Sequence, residues 1–378
     1  MTAVARKTLW REWPRFFPSI MATGFAGLLL IAQAGLVLGI FGSAAVYVTA
    51  SSGDIWAGYP GTQSVNLGRN ISNDVEMLLR MDPQVTQVEP MLWLDSDWRG
   101  PRGGGVSISV NGINPHARGL MFSHLLLPSV REQLKQPGAV IVDRADLEQL
   151  SVKLGDHAWI DHHEVHVVAT ISGLRALGGV NVLTSLDTAR WISADPQNLY
   201  HSTYFIARLK HPDAATATVH QLQREKHDTF GPYQLWTAHD FARQSQLFWL
   251  FDTGAGVAVV FLAAIVFMVS AIISSQSLMA VVIGSSREYA TLNALGAGMS
   301  ALRWMVFEQA MWVGGLGLLL SGVMSALLLG IAHSRDVPVD MTVPTALICV
   351  VLVLLLAVVS GLFAMRGLMR ADPALLLR

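Results

Sequence analysis

Four stretches of this chain run for longer than a bilayer is thick with almost no charge. They cover residues 18–49, 247–283, 306–332 and 344–366, and the first carries no charge from Ile20 to Val48. About 20 apolar residues are enough for a helix to cross the hydrocarbon core, so each stretch predicts a membrane-spanning helix. The region between the first two, 50–246, has a different pattern. Val85–Val88 and Val106–Val110 alternate as half-buried strands do. Gly138–Val142 reads as a short strand, Arg144–Leu150 as a helix and Gly155–Asp156 as a turn. His157–Ile160 and Val165–Ile171 read as a strand hairpin, Thr188–Ile192 and Ala214–Lys226 as helices, and Pro101–Gly105 as a flexible loop. The expected fold is therefore α-helical and membrane-spanning, with four transmembrane helices and a large α+β extracytoplasmic domain inserted between helices 1 and 2.

Composition supports the membrane reading. The 378 residues are 52% hydrophobic and 14% charged, against about 25% charged in a soluble domain. Six tryptophans (Trp56, Trp93, Trp98, Trp159, Trp191 and Trp236) are available to pack the inserted domain. The only cysteine, Cys349, sits in the fourth apolar run, which rules out a disulfide within the chain. A net charge of -1 with no basic stripe gives no reason to expect nucleic acid.

Charge sets the orientation. Segment 1–17 carries Arg6, Lys7, Arg11 and Arg15, segment 284–305 carries Arg287 and Arg303, and segment 367–378 carries Arg370 and Arg378. Basic residues favour the cytoplasmic side, and an even number of spans puts all three segments there. The short loop 333–343 falls outside, with Arg335 offset by Asp336 and Asp340. Segment 1–17 also pairs Leu9, Trp13, Phe16 and Phe17 with its basic residues, as an amphipathic helix lying in the membrane interface does. Its charges could instead form the n-region of a signal peptide, but the apolar run that follows is far longer than the usual 7–15 residues. An uncleaved helix is expected. Within it, Gly35 and Gly39 form a small-xxx-small face suited to contact with a second copy of the chain.

Candidate chemistry is sparse. Gly103–Gly105 lacks the Lys-Ser/Thr of a phosphate-binding loop, so ATP and magnesium, if used, belong to a partner chain. No Gly-x-Ser-x-Gly elbow or His-Glu-x-x-His motif occurs. His157, His162, His163 and His166 lie close together with Asp161 and Glu164. Even spacing on a strand would bring His162, Glu164 and His166 to one face, where zinc or copper could bind. A solvent-facing hairpin edge of mixed charge is the simpler reading. Ionisable residues are nearly absent from the spans, and Asp252 sits at the mouth of the second. Proton pathways need such residues, so a proton-coupled transporter is not expected.

What remains is the polar stretch between the second and third spans. Ser285 followed by Glu288 has the form of a capping box. Gly296 is placed to end the helix, and Tyr289, Leu292 and Leu295 give it a narrow apolar stripe. It is either an ordinary surface turn or a docking helix that receives force from a cytoplasmic partner.

Arg287-Glu288-Tyr289-Ala290-Thr291-Leu292-Asn293-Ala294-Leu295-Gly296-Ala297 resembles the signature that follows the second span in FtsX-like, MacB-type permeases, the type VII ABC transporters. Glu308 at the start of the third span, and the ending Arg366-x-x-x-Arg370-Ala371-Asp372-Pro373-Ala374-Leu375, are similar to that family too, as is the layout of one span, a large domain and three spans. In the inserted domain the likeness is confined to Val140–Asp143 through Lys153–Asp156. The EYATL form, with Met341-Thr342 before the fourth span, is closest to the DevC-like branch. The resemblance implies a non-enzymatic permease of a bacterial inner membrane, with both termini cytoplasmic and the large domain periplasmic. It implies coupling to a separate ABC ATPase dimer through Arg287, Glu288, Tyr289, Thr291, Leu292, Leu295 and Gly296. It further implies a permease homodimer among membrane lipids, a HlyD-like adaptor, an outer-membrane channel, and ATP-driven export by mechanotransmission. Three other readings stay open: a lipoprotein- or lipid-extracting permease, a cargo-free regulator of periplasmic enzymes, and a membrane-anchored sensor or metal-binding protein.

Overall fold

The computed structural model describes residues 13–193, 195–224, 228–284, 299–334, 337 and 339–370. The chain forms two compact units. A helical unit holds Met1–Leu38, Val257–Ser334 and Val339–Arg378, and an inserted unit holds Gly39–Gly256 with Arg335–Pro338.

Helix α1 (Trp13–Gly42) is followed by a 3-10 turn at Ser43–Ala45 and a short helix α2 (Val46–Thr49), and this whole end belongs to the inserted unit. That unit was expected to start near residue 50. It starts at Gly39 because Ala44, Ala45, Tyr47 and Val48 are apolar enough to pass for membrane residues yet are buried against protein.

The strands are β1 (Ile55–Gly58), β2 (Ile71–Ser72), β3 (Val85–Arg99), β4 (Gly105–Ile113), β5 (Ala139–Asp143), β6 (His157–Ile160), β7 (His163–Ile171), β8 (Asn181–Ser185), β9 (His201–Ser202), β10 (Tyr204–Leu209) and β11 (Gln234–Thr237). Nine of them form one sheet in the order β11-β1-β10-β3-β4-β8-β5-β7-β6. The organising strand is β3, 15 residues long. Its first half pairs with β10 and its second half with β4. The far edge then returns to it, since β6 pairs with β3 at Trp98↔Ile160 and Arg99↔Trp159. Strands β3, β4, β8, β5, β7 and β6 thus close into a ring, which removes the open edge that a free strand would present. Trp98, Val110, Val142, Ile160, Val167 and Val182 fill it.

Helices α3 (Asp74–Met81) and α6 (Ala215–Arg224) cover the open part of the sheet, burying Val75, Leu79, Val219 and Leu222 with Ile55, Phe205 and Leu235. The remaining helices of the unit are α4 (Pro128–Gln133), α5 (Leu186–Ile192) and α7 (Ala238–Leu247). Within the inserted unit the expected strands form, as does the helix over 188–192; the helix expected over 214–226 is seen as Ala215–Arg224, with 225–226 outside the described residues, and the exception is 144–150. There a 3-10 turn at Arg144–Asp146 replaces a full helix. Its carboxylates are engaged elsewhere. Asp143 accepts hydrogen bonds from the Ala145 and Leu174 amides, at 2.9 and 2.7 Å, and Asp146 accepts one from Arg175 Nε at 2.7 Å.

The helical unit contains α8 (Ala255–Gly284), α9 (Met299–Ser334) and α10 (Val343–Arg370). With α1 these are, among the described residues, the four helices long and apolar enough to cross a membrane. Small residues let them approach. A Cβ added at Gly27 would lie 2.7 Å from Ser321, one at Gly317 2.8 Å from Thr23, and one at Gly314 2.5 Å from Ala357. Gly35 meets Leu329, and its carbonyl accepts the Asp340 amide at 3.1 Å. Gly39 lies in the inserted unit. Hydroxyls link α1 to α8 through Ser19–Ser277 at 2.6 Å and Thr23–Ser274 at 3.3 Å. These hydroxyls satisfy one another between helices and need no water. Gly27→Val should force α1 from α9 and cost about 1–3 kcal/mol, read as a lower unfolding midpoint in detergent. An unchanged midpoint would remove the close approach.

Candidate functional site

The chain enters the inserted unit through 42–52 and leaves it through 234–254. Both passages are tied into its core. The Tyr47 hydroxyl donates to Asn181 Oδ1 at 2.5 Å, Asn111 reaches the same oxygen at 3.4 Å, and Asn181 Nδ2 donates to the Leu174 carbonyl at 2.7 Å. Ser43 Oγ accepts the Leu177 amide at 2.9 Å, and the Ala44 carbonyl accepts Asn66 Nδ2 at 2.7 Å.

A long loop, 114–127, then folds over the entering segment. Leu120, Met121, Phe122 and Leu126 are buried in one cluster with Tyr47, Val48 and Ala50. The Ser52 amide donates to the Leu120 carbonyl, the His124 amide to the Ala50 carbonyl, and the Phe122 amide to Ser51 Oγ. Two buried charges hold this loop. Glu89 accepts the Leu120 amide at 2.7 Å and Gln87 Nε2 at 2.7 Å. Arg131 donates to the Asn114 carbonyl at 2.8 Å and also to the Met121 carbonyl. Gly119 is required here, because a Cβ on it would collide with the Arg131 guanidinium.

Burial pushes the Glu89 carboxyl above its ordinary value, opposed by the Leu120 amide, Gln87 and the Arg131 charge. Burial likewise lowers Arg131, with Glu89 opposing. Because the folded pKa of Glu89 is raised, the stability it adds is complete below the unfolded value and is lost as pH rises through the folded one. Glu89→Gln should flatten that decline, measured by denaturant unfolding across mildly acidic to neutral pH. The same slope in both proteins would contradict the assignment.

The exit is organised around Phe241 of α7. Its ring stacks on Trp236 at 4.6 Å and meets Trp56 and Tyr204 at 5.9 and 5.6 Å. Thr237 caps α7 by accepting the Asp240 amide. Ser245 Oγ accepts the Val65 amide at 2.9 Å, Gln246 reaches the Gly42 carbonyl at 3.3 Å, and Trp249 Nε1 donates to Ser64 Oγ at 2.9 Å. Entering and leaving segments are therefore joined directly. Beyond α7 the helix widens into a π turn at Phe248–Asp252 and breaks at Gly254, whose φ of +75° suits glycine. The second apolar stretch, expected as one helix over 247–283, is thus interrupted before α8.

The histidines take another arrangement than spacing suggested. His162 falls in the turn, and His157 takes its place opposite His166 in the β6–β7 pairing. His157 Nδ1 lies 3.1 Å from Glu164, its ring is 5.9 Å from that of His166, and His163 turns away onto Trp191 at 4.4 Å. Among the described residues no group of three His, Cys, Asp or Glu is arranged to hold a metal ion. Arg287, Glu288, Tyr289, Thr291, Leu292, Leu295 and Gly296 lie outside the described residues, as do 1–12 and the ending after Arg370. Glu308 is half-buried in α9.

Sequence reasoning missed Tyr47, Asn181, Glu89 and Arg131. A tyrosine at the end of an apolar run was the one available signal, and it fits an interfacial belt equally well.

Residues 244–373 match the family described as FtsX-like permease C-terminal. That FtsX-like segment starts in α7 and takes in the π turn, α8, α9 and α10. No curated protein matches the chain. Three solved structures are similar at low identity. The extracellular domain of a noncanonic ABC-type transporter, YknZ, from Gram-positive bacteria is 17% identical, over 48% of this chain and 98% of that one, with a TM-score of 0.36. The periplasmic region of MacB from Actinobacillus actinomycetemcomitans is 8% identical over 52% and 94%, with a TM-score of 0.36. A domain of a permease protein from Porphyromonas gingivalis is 12% identical over 50% and 90%, with a TM-score of 0.33.

Proposed function

We propose that this chain is the permease subunit of an ABC transporter in a bacterial inner membrane. The match of 244–373 to the FtsX-like segment carries the reading. Four apolar helices and a large domain inserted after the first agree with it. In this reading a separate ATPase dimer binds ATP and magnesium and engages the stretch Arg287 to Gly296. Closure of the ATPases moves α8 and α9, and the bonded entry and exit of the inserted unit receive that motion. Two permeases act together, and cargo taken from the periplasm or outer leaflet passes to a HlyD-like adaptor and an outer-membrane channel. Purification of the tagged chain from its native membrane tests this. An ABC ATPase and an adaptor should accompany it, and recovery of the chain with neither would sink the proposal.

One observation favours the lipid-extracting reading as a second. Within the helical unit, α1, α8 and α10 line an apolar groove of about 670 Å³ through Leu30, Phe267, Met268, Ile272, Leu352 and Val359. Such a wall suits an acyl chain. Copurification of a lipid or lipoprotein lost on Phe267→Ser would favour it over export of a water-soluble cargo.

A further inference from the structure

A second cavity, of about 450 Å³, opens on the inserted unit. Its walls are Pro115 and Pro137 with Gly138, and its charged groups are Lys135, Glu164 and Asp187. Trp191 forms one side. That indole is 52% exposed, which is unusual for so large an apolar ring. It is nevertheless fixed, because the His163 ring packs edge-on against it at 4.4 Å.

Most polar groups around the cavity are already occupied. Ser185 caps α5 by accepting the Thr188 amide and donates to Thr188 Oγ at 2.9 Å. Thr188 Oγ in turn accepts the Gly138 amide. Lys135, the one cation on the wall among the described residues, is held by Glu132 at 2.6 Å. Glu164 is shared with the exposed His157. Asp187 makes no ion pair among the described residues and is exposed. Asp187 and Trp191 are four residues apart on α5, so their side chains rise on one face. An indole face beside a free carboxylate is complementary to a positive charge on an apolar body, and tryptophan is the strongest aromatic partner for a cation.

We propose that this cavity is a seat for an organic ammonium group, with the cation between the Asp187 carboxylate and the Trp191 ring. Glu164 completes the negative wall, and Pro115 and Pro137 contact the apolar part of the ligand. The seat is a property of the inserted unit and stands or falls separately from the ATPase reading.

The test is titration of the full chain in lipid nanodiscs with phenethylammonium, 3-phenylpropionate and 3-phenylpropanol, followed calorimetrically. Saturable binding of the ammonium is expected, with the anion and the alcohol weaker by about fivefold or more, as a contact of this kind is worth. Trp191→Ala and the isosteric Asp187→Asn should each weaken the ammonium by a similar factor and leave the alcohol unchanged, and Asp187→Asn should bring the anion closer to the alcohol. Equal binding of all three probes, or ammonium binding indifferent to Asp187→Asn, would overturn the proposal. Absence of saturable binding to the unaltered chain would do the same.

Discussion

Leu292→Asp is expected to abolish stimulation of the partner ATPase by this chain while leaving membrane insertion and the unfolding midpoint unchanged. The stretch Ser285 to Gly296 carries a capping pair and a narrow apolar stripe of Tyr289, Leu292 and Leu295. If the stripe is the docking face, a charge at its centre is desolvated on binding without a partner, which costs several kcal/mol. A loss of about 3 kcal/mol is more than a hundredfold in affinity, enough to empty the site at ordinary concentrations. Glu288→Lys should act in the same direction, by reversing the charge and removing the reciprocal cap. ATPase activity in purified complexes, with and without each variant permease, gives the readout. Full stimulation by both variants would make the stretch an ordinary surface turn.

The second large effect is expected at Tyr47. Tyr47→Ala removes a fully buried ring and the hydroxyl that donates to Asn181 Oδ1. Truncating a buried aromatic costs about 3–5 kcal/mol, and the lost hydrogen bond to Asn181 adds to it. Tyr47→Phe keeps the ring contact with Phe122 at 5.9 Å and loses only the hydroxyl, so about 1–3 kcal/mol is expected. The two variants separate packing from hydrogen bonding. Unfolding midpoints should fall in the order unaltered chain, Tyr47→Phe, Tyr47→Ala. In the transport reading, Tyr47→Phe should also loosen coupling, with ATP hydrolysis kept and transport reduced. Midpoints that do not move would mean that the entering segment is not anchored there.

The spans were legible because a run of about twenty uncharged, apolar residues suits a membrane helix and little else. The strands were legible because alternation has a period of two. Their limits were not. Ala44, Ala45 and Val48 are as apolar as lipid-facing residues, so hydropathy could not tell a protein core from a membrane. Nor could it place the break at Gly254, since glycine is common within spans. Closure of the ring through Trp98↔Ile160 depends on contacts far apart in sequence, beyond the reach of any local pattern. The histidines illustrate a register problem. Starting β7 at His163 puts His162 in the turn and sets His157 across from His166, and a shift of one residue would have exchanged the faces. Glu89 and Arg131 gave no signal, because their partners in 114–127 are backbone amides and carbonyls, which have no signature in side-chain pattern.

In the proposed function, an ABC ATPase docks between the second and third spans. A photocrosslinking amino acid at position 292, activated in intact cells and followed by mass spectrometry, tests it directly. An adduct with a protein carrying a phosphate-binding loop is expected, lost when Glu288→Lys is introduced alongside. Adducts with lipid alone, or with the same partners in the presence of Glu288→Lys, would contradict it.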